Sequence, residues 1–84
     1  MTKFIMTIFE KKKTAANLIV RYLNIYVDPK NIELLKHNED GSYLHFAVNG
    51  SPVSYLYKIT PFNTFTMYPN REGTEGMTLE LVDE

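Results

Sequence analysis

Two short breaks, Asn38-Glu-Asp-Gly41 and Asn49-Gly50, divide residues 32–68 into runs of alternating side chains. Between them, Leu44, Phe46 and Val48 alternate with Tyr43, His45 and Ala47. Beyond the second, Val53, Tyr55, Tyr57 and Ile59 alternate with Ser54, Leu56 and Lys58. A period of two puts each set on its own face of a strand. Asn-Gly is a strong hairpin signal and suits a type I′ turn, since both residues tolerate positive φ. Gly41 ends a four-residue loop where positive φ is again wanted. The stretch therefore reads as an antiparallel meander with strands over 32–37, 42–48, 53–59 and 62–68. Thr60-Pro61 breaks the last two apart, and Pro52, which lacks a donor, belongs at a strand start or an edge. Residues 71–76, with Gly73 and Gly76 among charges, read as a loop. Residues 77–82 alternate as a last strand would, or form a fraying tail.

Before the meander, residues 14–23 hold good helix formers, and Ala15, Leu18, Ile19, Tyr22 and Leu23 form an apolar stripe. Thr14 serves as an N-cap if the helix begins there. Pro29 forces a stop near residues 24–27. Two readings exist for the start of the chain. Residues 4–9 are rich in β-formers and suit a short strand; alternatively, one helix runs over 3–26, about 36 Å long at 1.5 Å per residue. That length is large for so small a domain and favours the strand followed by a shorter helix. Asp28-Pro29 also forms a recognised helix opening, but residues 32–37 read better as the first arm of the hairpin.

A chain of 84 residues with 44% hydrophobic content is one domain with an ordinary small core. It has no Cys, which removes disulfides, thiolate metal sites and thiol nucleophiles. No run reaches the roughly 18 apolar residues of a membrane span. The short apolar start leads into Glu10 and three lysines rather than a cleavage site, so a cytoplasmic protein is expected. The net charge of −1 conceals a gradient: residues 1–30 balance to +4 and residues 31–84 to −5. Phe, Tyr, Ile, Asn and Lys supply 31 residues against 13 for Gly, Ala, Arg and Pro. AT-rich codons give that bias, so a bacterial or phage origin fits.

Chemistry is poorly represented. His37 and His45 flank the acidic loop carrying Glu39 and Asp40, yet no ligand spacing of any specificity is present, and neither a metal nor a cofactor is expected. Ser42, Ser51 and Ser54 sit in no nucleophile elbow. The carboxylates Glu33, Glu39 and Asp40 lie in or beside an exposed loop, where a raised pKa lacks the burial it needs. Gly41, Gly50, Gly73 and Gly76 are isolated and cradle no phosphate. A non-enzymatic protein follows.

The expected fold is α+β, one main helix packed on an antiparallel β-meander of four to five strands. With the helix on one sheet face, the other presents Tyr43, His45, Leu56, Lys58, Thr64, Thr66 and Tyr68. Tyr within a polar rim suits a protein interface. Tyr43, His45, Leu56, Lys58 and Tyr68 are therefore the candidate partner-binding residues. Docking through that face or addition at an edge strand would give a protein-binding regulatory role or a homodimer. The bland reading of the same face is an ordinary sheet surface. A nucleic-acid accessory module is the second reading, using Lys11, Lys12, Lys13 and Arg21 with the aromatic face. The near-neutral charge, only two arginines and the acidic last third weigh against it.

Overall fold

The computed structural model describes residues 5–59 and 63–80, the last four of these by their backbone. Helix α1 (Ile8–Leu23) is followed by a single 3-10 turn (Pro29–Asn31) and strands β1 (Ile32–His37), β2 (Tyr43–Val48), β3 (Ser54–Lys58), β4 (Thr64–Tyr68) and β5 (Met77–Glu80). The strands form one antiparallel sheet in the order β1-β2-β3-β4-β5. The α+β meander legible in the sequence is thus the observed fold, and residues 77–80 form a strand.

The start of α1 differs from both readings of the N-terminus. Ile8 and Phe9 are helical rather than extended, and Thr14 lies well inside the helix. Thr7 is the N-cap. Its hydroxyl accepts from the Glu10 N–H at 3.1 Å, and Glu10 Oε1 accepts from the Thr7 N–H at 2.9 Å. This reciprocal capping box satisfies two donors that a helix start leaves open. It outweighs the β-propensity of Ile8 and Phe9. The backbone and side-chain hydrogen bonds of Thr7, with Lys13 nearby, hold the Glu10 carboxyl below the usual carboxylate range. At the other end Asn24 adopts the left-handed conformation at φ 58° and donates to the Val20 carbonyl, well short of the 3–26 span.

Asp28-Pro29 opens a helix, as its chemistry suggests, but for one turn only. The Lys30 N–H donates to Asp28 Oδ1 at 2.9 Å and the Asn31 N–H to the Asp28 carbonyl at 2.8 Å, after which β1 begins. The first hairpin closes with Gly41 at φ +76°, a conformation that favours glycine. A Cβ at Gly41 would stand 2.6 Å from Met6 Sδ, and the Met6 N–H donates to the Glu39 carbonyl at 2.9 Å. The segment entering α1 is thereby fastened to the hairpin tip. The second turn is not type I′. Gly50 has φ +83°, whereas Asn49 is not at positive φ, and the Ser51 N–H donates to the Val48 carbonyl. That is the pattern of a type II turn. The β2–β3 pairing closes only at Ala47 and Ser54, so Ser51, Pro52 and Val53 widen the connection and release the turn from the strand twist that favours I′.

Alternation predicts the core well. Ile32, Leu44, Phe46 and Phe65 are buried against Ala15, Ala16, Leu18 and Ile19 of α1, with Leu34, Val48, Tyr55 and Tyr57 packed around them. Ile59 departs from this reading at 42% exposure, because β3 ends at Lys58 and leaves it beyond the packed region. Val53 is half-buried and precedes the strand. Phe62 and Thr60-Pro61 lie outside the described residues. In β1, Leu34 pairs with Phe46 but Lys36 with His45, so Leu35 is the extra residue of a β-bulge.

Thr7→Ala removes the cap hydroxyl and is expected to cost about 1 kcal/mol of stability. Urea unfolding followed by circular dichroism checks this: a lower midpoint at unchanged slope supports the cap, and an unchanged midpoint refutes it.

Candidate functional site

The five candidate partner-binding residues do share the sheet face away from α1. Tyr43 pairs with Lys58 and His45 with Leu56, while Tyr68 stands opposite Ser54. That face is not open, however. Residues 69–76, which follow β4, fold back across it as a strap. Arg71 fastens the strap at three points: Nε donates to the Ser51 carbonyl at 3.0 Å, Nη2 to the Val48 carbonyl at 3.3 Å, and Nη1 to Glu33 Oε1 at 2.8 Å. Asn70 organises the strap internally. Its Oδ1 accepts from the Gly73 and Thr74 N–H groups, and its Nδ2 donates to Thr74. Gly73, at φ +80°, lies close above the His45 ring, where a Cβ would approach Cε1 to 3.2 Å. Ala47 and Ser54 consequently have no exposed surface, although alternation places both on the solvent side.

The strap divides the five residues. His45 and Tyr68, in edge contact at 5.9 Å between ring centroids, form its bed, while Tyr43, Leu56 and Lys58 are half-buried. The sequence reading missed Asn70 and Arg71. A signal existed: Asn-Arg-Glu-Gly at 70–73 carries one of the chain's two arginines in a loop bounded by glycine.

Beneath the strap, His45 Nε2 and Ser54 Oγ are 3.0 Å apart, the spacing of a base and its nucleophile. The proton positions argue against that role. Ser54 has one hydroxyl proton and donates it to the Asn70 carbonyl at 2.6 Å, so toward His45 it accepts, from Nε2–H. The imidazole therefore offers Ser54 a proton instead of taking one. Ser54 is also wholly buried. The chain His45–Ser54–Asn70 ties strap to sheet. Burial, followed by the charge on Lys36, lowers the His45 pKa below its ordinary value.

The bulge at Leu35 separates the histidines that flank the acidic loop. Lys36 faces the His45 side, while His37 pairs with Leu44 and turns toward the helix, where Lys11 Nζ donates to its Nδ1 at 2.9 Å. Among the described residues, no group of three His, Cys, Asp or Glu is placed to hold a metal ion.

The basic cluster is dispersed in the same way. Consecutive helical residues point about 100° apart. Lys11 is only 4% exposed and engaged with His37, Lys12 lines a groove beside β1, and Lys13 reaches over the Phe9 ring at 5.7 Å. Arg21, at the far end of α1, lies 5.3 Å from the Tyr22 ring. The four cations do not form a single patch.

Apolar surface is concentrated elsewhere. The described residues with large exposed apolar side chains are Ile5, Ile8, Phe9, Val20, Ile25, Tyr26 and Ile59, and all but Ile59 belong to α1 or its flanks. Beside them, α1 and β1 wall a groove of about 360 Å³. No helix among the described residues is long and apolar enough to cross a membrane. No protein-family model matches the chain, and neither a curated protein nor a solved structure matches it.

Two outcomes follow from the strap. Because folding lowers the His45 pKa, the unfolded chain binds more protons in the window below about 6.5. The stabilisation is complete above that pH and declines as pH falls toward the folded-state value. Urea midpoints should drop from pH 7 to pH 5, and His45→Gln should flatten that slope; an unaltered slope would show that His45 does not contribute. Arg71→Ala should speed exchange of the Gly73 and Thr74 amides by roughly tenfold while β2 and β3 stay protected. Equal rates in the two proteins would mean that Arg71 does not hold the strap.

Proposed function

We propose that the protein is a small non-enzymatic binding module with a regulatory role, and that its partner is another protein. One observation carries this reading: the exposed apolar side chains cluster on and around α1, while the sheet face behind it is strapped. Scattered exposed hydrophobics need no explanation, but a cluster along one element marks a contact surface. Phe9 and Val20, eleven residues apart, fall on nearly the same line of the helix at 3.6 residues per turn. Ile25 and Tyr26, the latter 81% exposed, extend the surface past the helix end. The half-buried Tyr43, Leu56 and Lys58 provide a smaller second contact beyond the strap.

Phe9→Ser with Val20→Ser alters the surface at two exposed positions, so the fold should survive. Partner retention by the immobilised protein from a low-GC bacterial lysate should fall at least roughly tenfold, as central interface residues lose. Tyr43→Ser with Leu56→Ser should reduce it less. Full retention by the helix variant, with its circular dichroism spectrum intact, would sink the reading. A mass by light scattering that halves in the helix variant would identify the partner as a second copy of the chain.

A further inference from the structure

Strand β1 is an outer strand, and α1 beside it leaves one side of its main chain facing a groove. The Asn49 N–H donates to the Asn31 carbonyl at 2.7 Å, which fixes the phase of the ladder. Hydrogen-bonded positions alternate along an antiparallel pair, so Glu33 bonds to β2 while Ile32 and Leu34 direct their peptide groups outward. The Ile32 N–H is taken by the Pro29 carbonyl. The Ile32 carbonyl and both peptide groups of Leu34 therefore face the groove.

Side chains give the groove a definite chemistry. Ile8, Ile32 and Leu34 make its apolar floor, Lys12 stands on the helix wall, Lys30 lies just before β1, and His37, backed by Lys11, closes its end. Glu33 is the sole carboxylate among the residues lining it, and Arg71 engages it at 2.8 Å. Lys30 has an ion pair with Asp28, but at 4.0 Å and on a side chain 81% exposed. Such a pair contributes little and yields readily to a closer anion. Among the described residues, the groove thus combines main chain that meets no further strand, an apolar floor and an excess of positive charge.

We propose that this groove takes an extended acidic segment of the partner protein, added antiparallel to β1 as a further strand. The inference rests on the protein-binding reading above and names its site. One apolar side chain seats between Ile8, Ile32 and Leu34. Acidic side chains two residues to either side share its face, as strand periodicity requires, and meet Lys12 and Lys30. The bulge at Leu35 bends β1 away and limits the pairing to a short segment.

The test uses the full chain and a fluorescein-labelled peptide, Ser-Asp-Thr-Leu-Thr-Asp-Ser, followed by fluorescence anisotropy at low salt. Saturable binding is expected. It should weaken roughly tenfold or more in Lys12→Glu with Lys30→Glu and vanish when both peptide aspartates are lysine. N-methylation of the peptide leucine removes the N–H that would pair with the Leu34 carbonyl, and should abolish binding without touching the protein. Absence of binding, equal binding of the lysine peptide, or indifference to N-methylation each overturns the proposal. So does displacement of the peptide by oligothymidylate, which would assign the groove to nucleic acid, or a dimer that the lysine substitutions dissociate. Partner retention lost in the Phe9/Val20 variant, without peptide binding, would overturn the groove and leave the protein-binding reading standing.

Discussion

The aromatic stack in the core is the interaction on which the rest of the structure depends. Phe65 of β4 lies 5.7 Å from Tyr22 of α1 and 5.6 Å from Tyr55 of β3, while Phe46 of β2 lies 5.6 Å from Tyr55. One continuous set of rings thereby joins the helix to three successive strands. Such contacts add to the simple burial of apolar area, and each aromatic contributes much of that area in a small domain. The apolar stripe of α1 and the inner face of the sheet bury against one another, and either alone would leave those side chains in water. Helix and sheet need one another, and these rings are where they meet.

Much of this was legible in the sequence because burial in strands obeys parity. Leu44, Phe46, Tyr55 and Tyr57 face the helix as alternation requires, and Gly41 sits at positive φ in the loop expected of it. The errors arise where a competing local interaction decides the outcome. The Thr7–Glu10 capping box draws the β-formers Ile8 and Phe9 into the first turn of a helix, though its Thr-x-x-Glu signature was present to be read. Asn49 escapes positive φ because the chain beyond Gly50 takes several residues to rejoin the ladder. Ile59 is exposed because the strand ends one residue earlier than its alternation.

The candidate surface was harder to see, since its key feature is a long-range contact. The Arg71 guanidinium is 38 residues from Glu33 in sequence, and no local pattern specifies that pairing. Parity alone placed Tyr43, His45, Leu56, Lys58 and Tyr68 together, which is correct, but parity says nothing about what crosses above them. The strap also explains why a serine and a histidine come within hydrogen-bond distance with the proton directed from the imidazole to the hydroxyl. Ser54 satisfies the Asn70 carbonyl under a layer of chain and His45 in turn satisfies Ser54, and polar groups buried in this way need partners whatever their reactivity.

The bulge in β1 has a consequence for how this chain can vary. A regular strand obliges every inserted or deleted residue to invert all the side chains that follow it. At Leu35 the ladder absorbs one extra residue, so Glu33 and Lys36 stay on one face while Leu34 and His37 stay on the other. Chain length and side-chain phase are decoupled at that point. Leu35 is thus a place where β1 can lose a residue and still deliver His37 to Lys11 and Lys36 to the neighbourhood of His45. The outer strand takes up the extra residue, and the paired strands behind it keep the register.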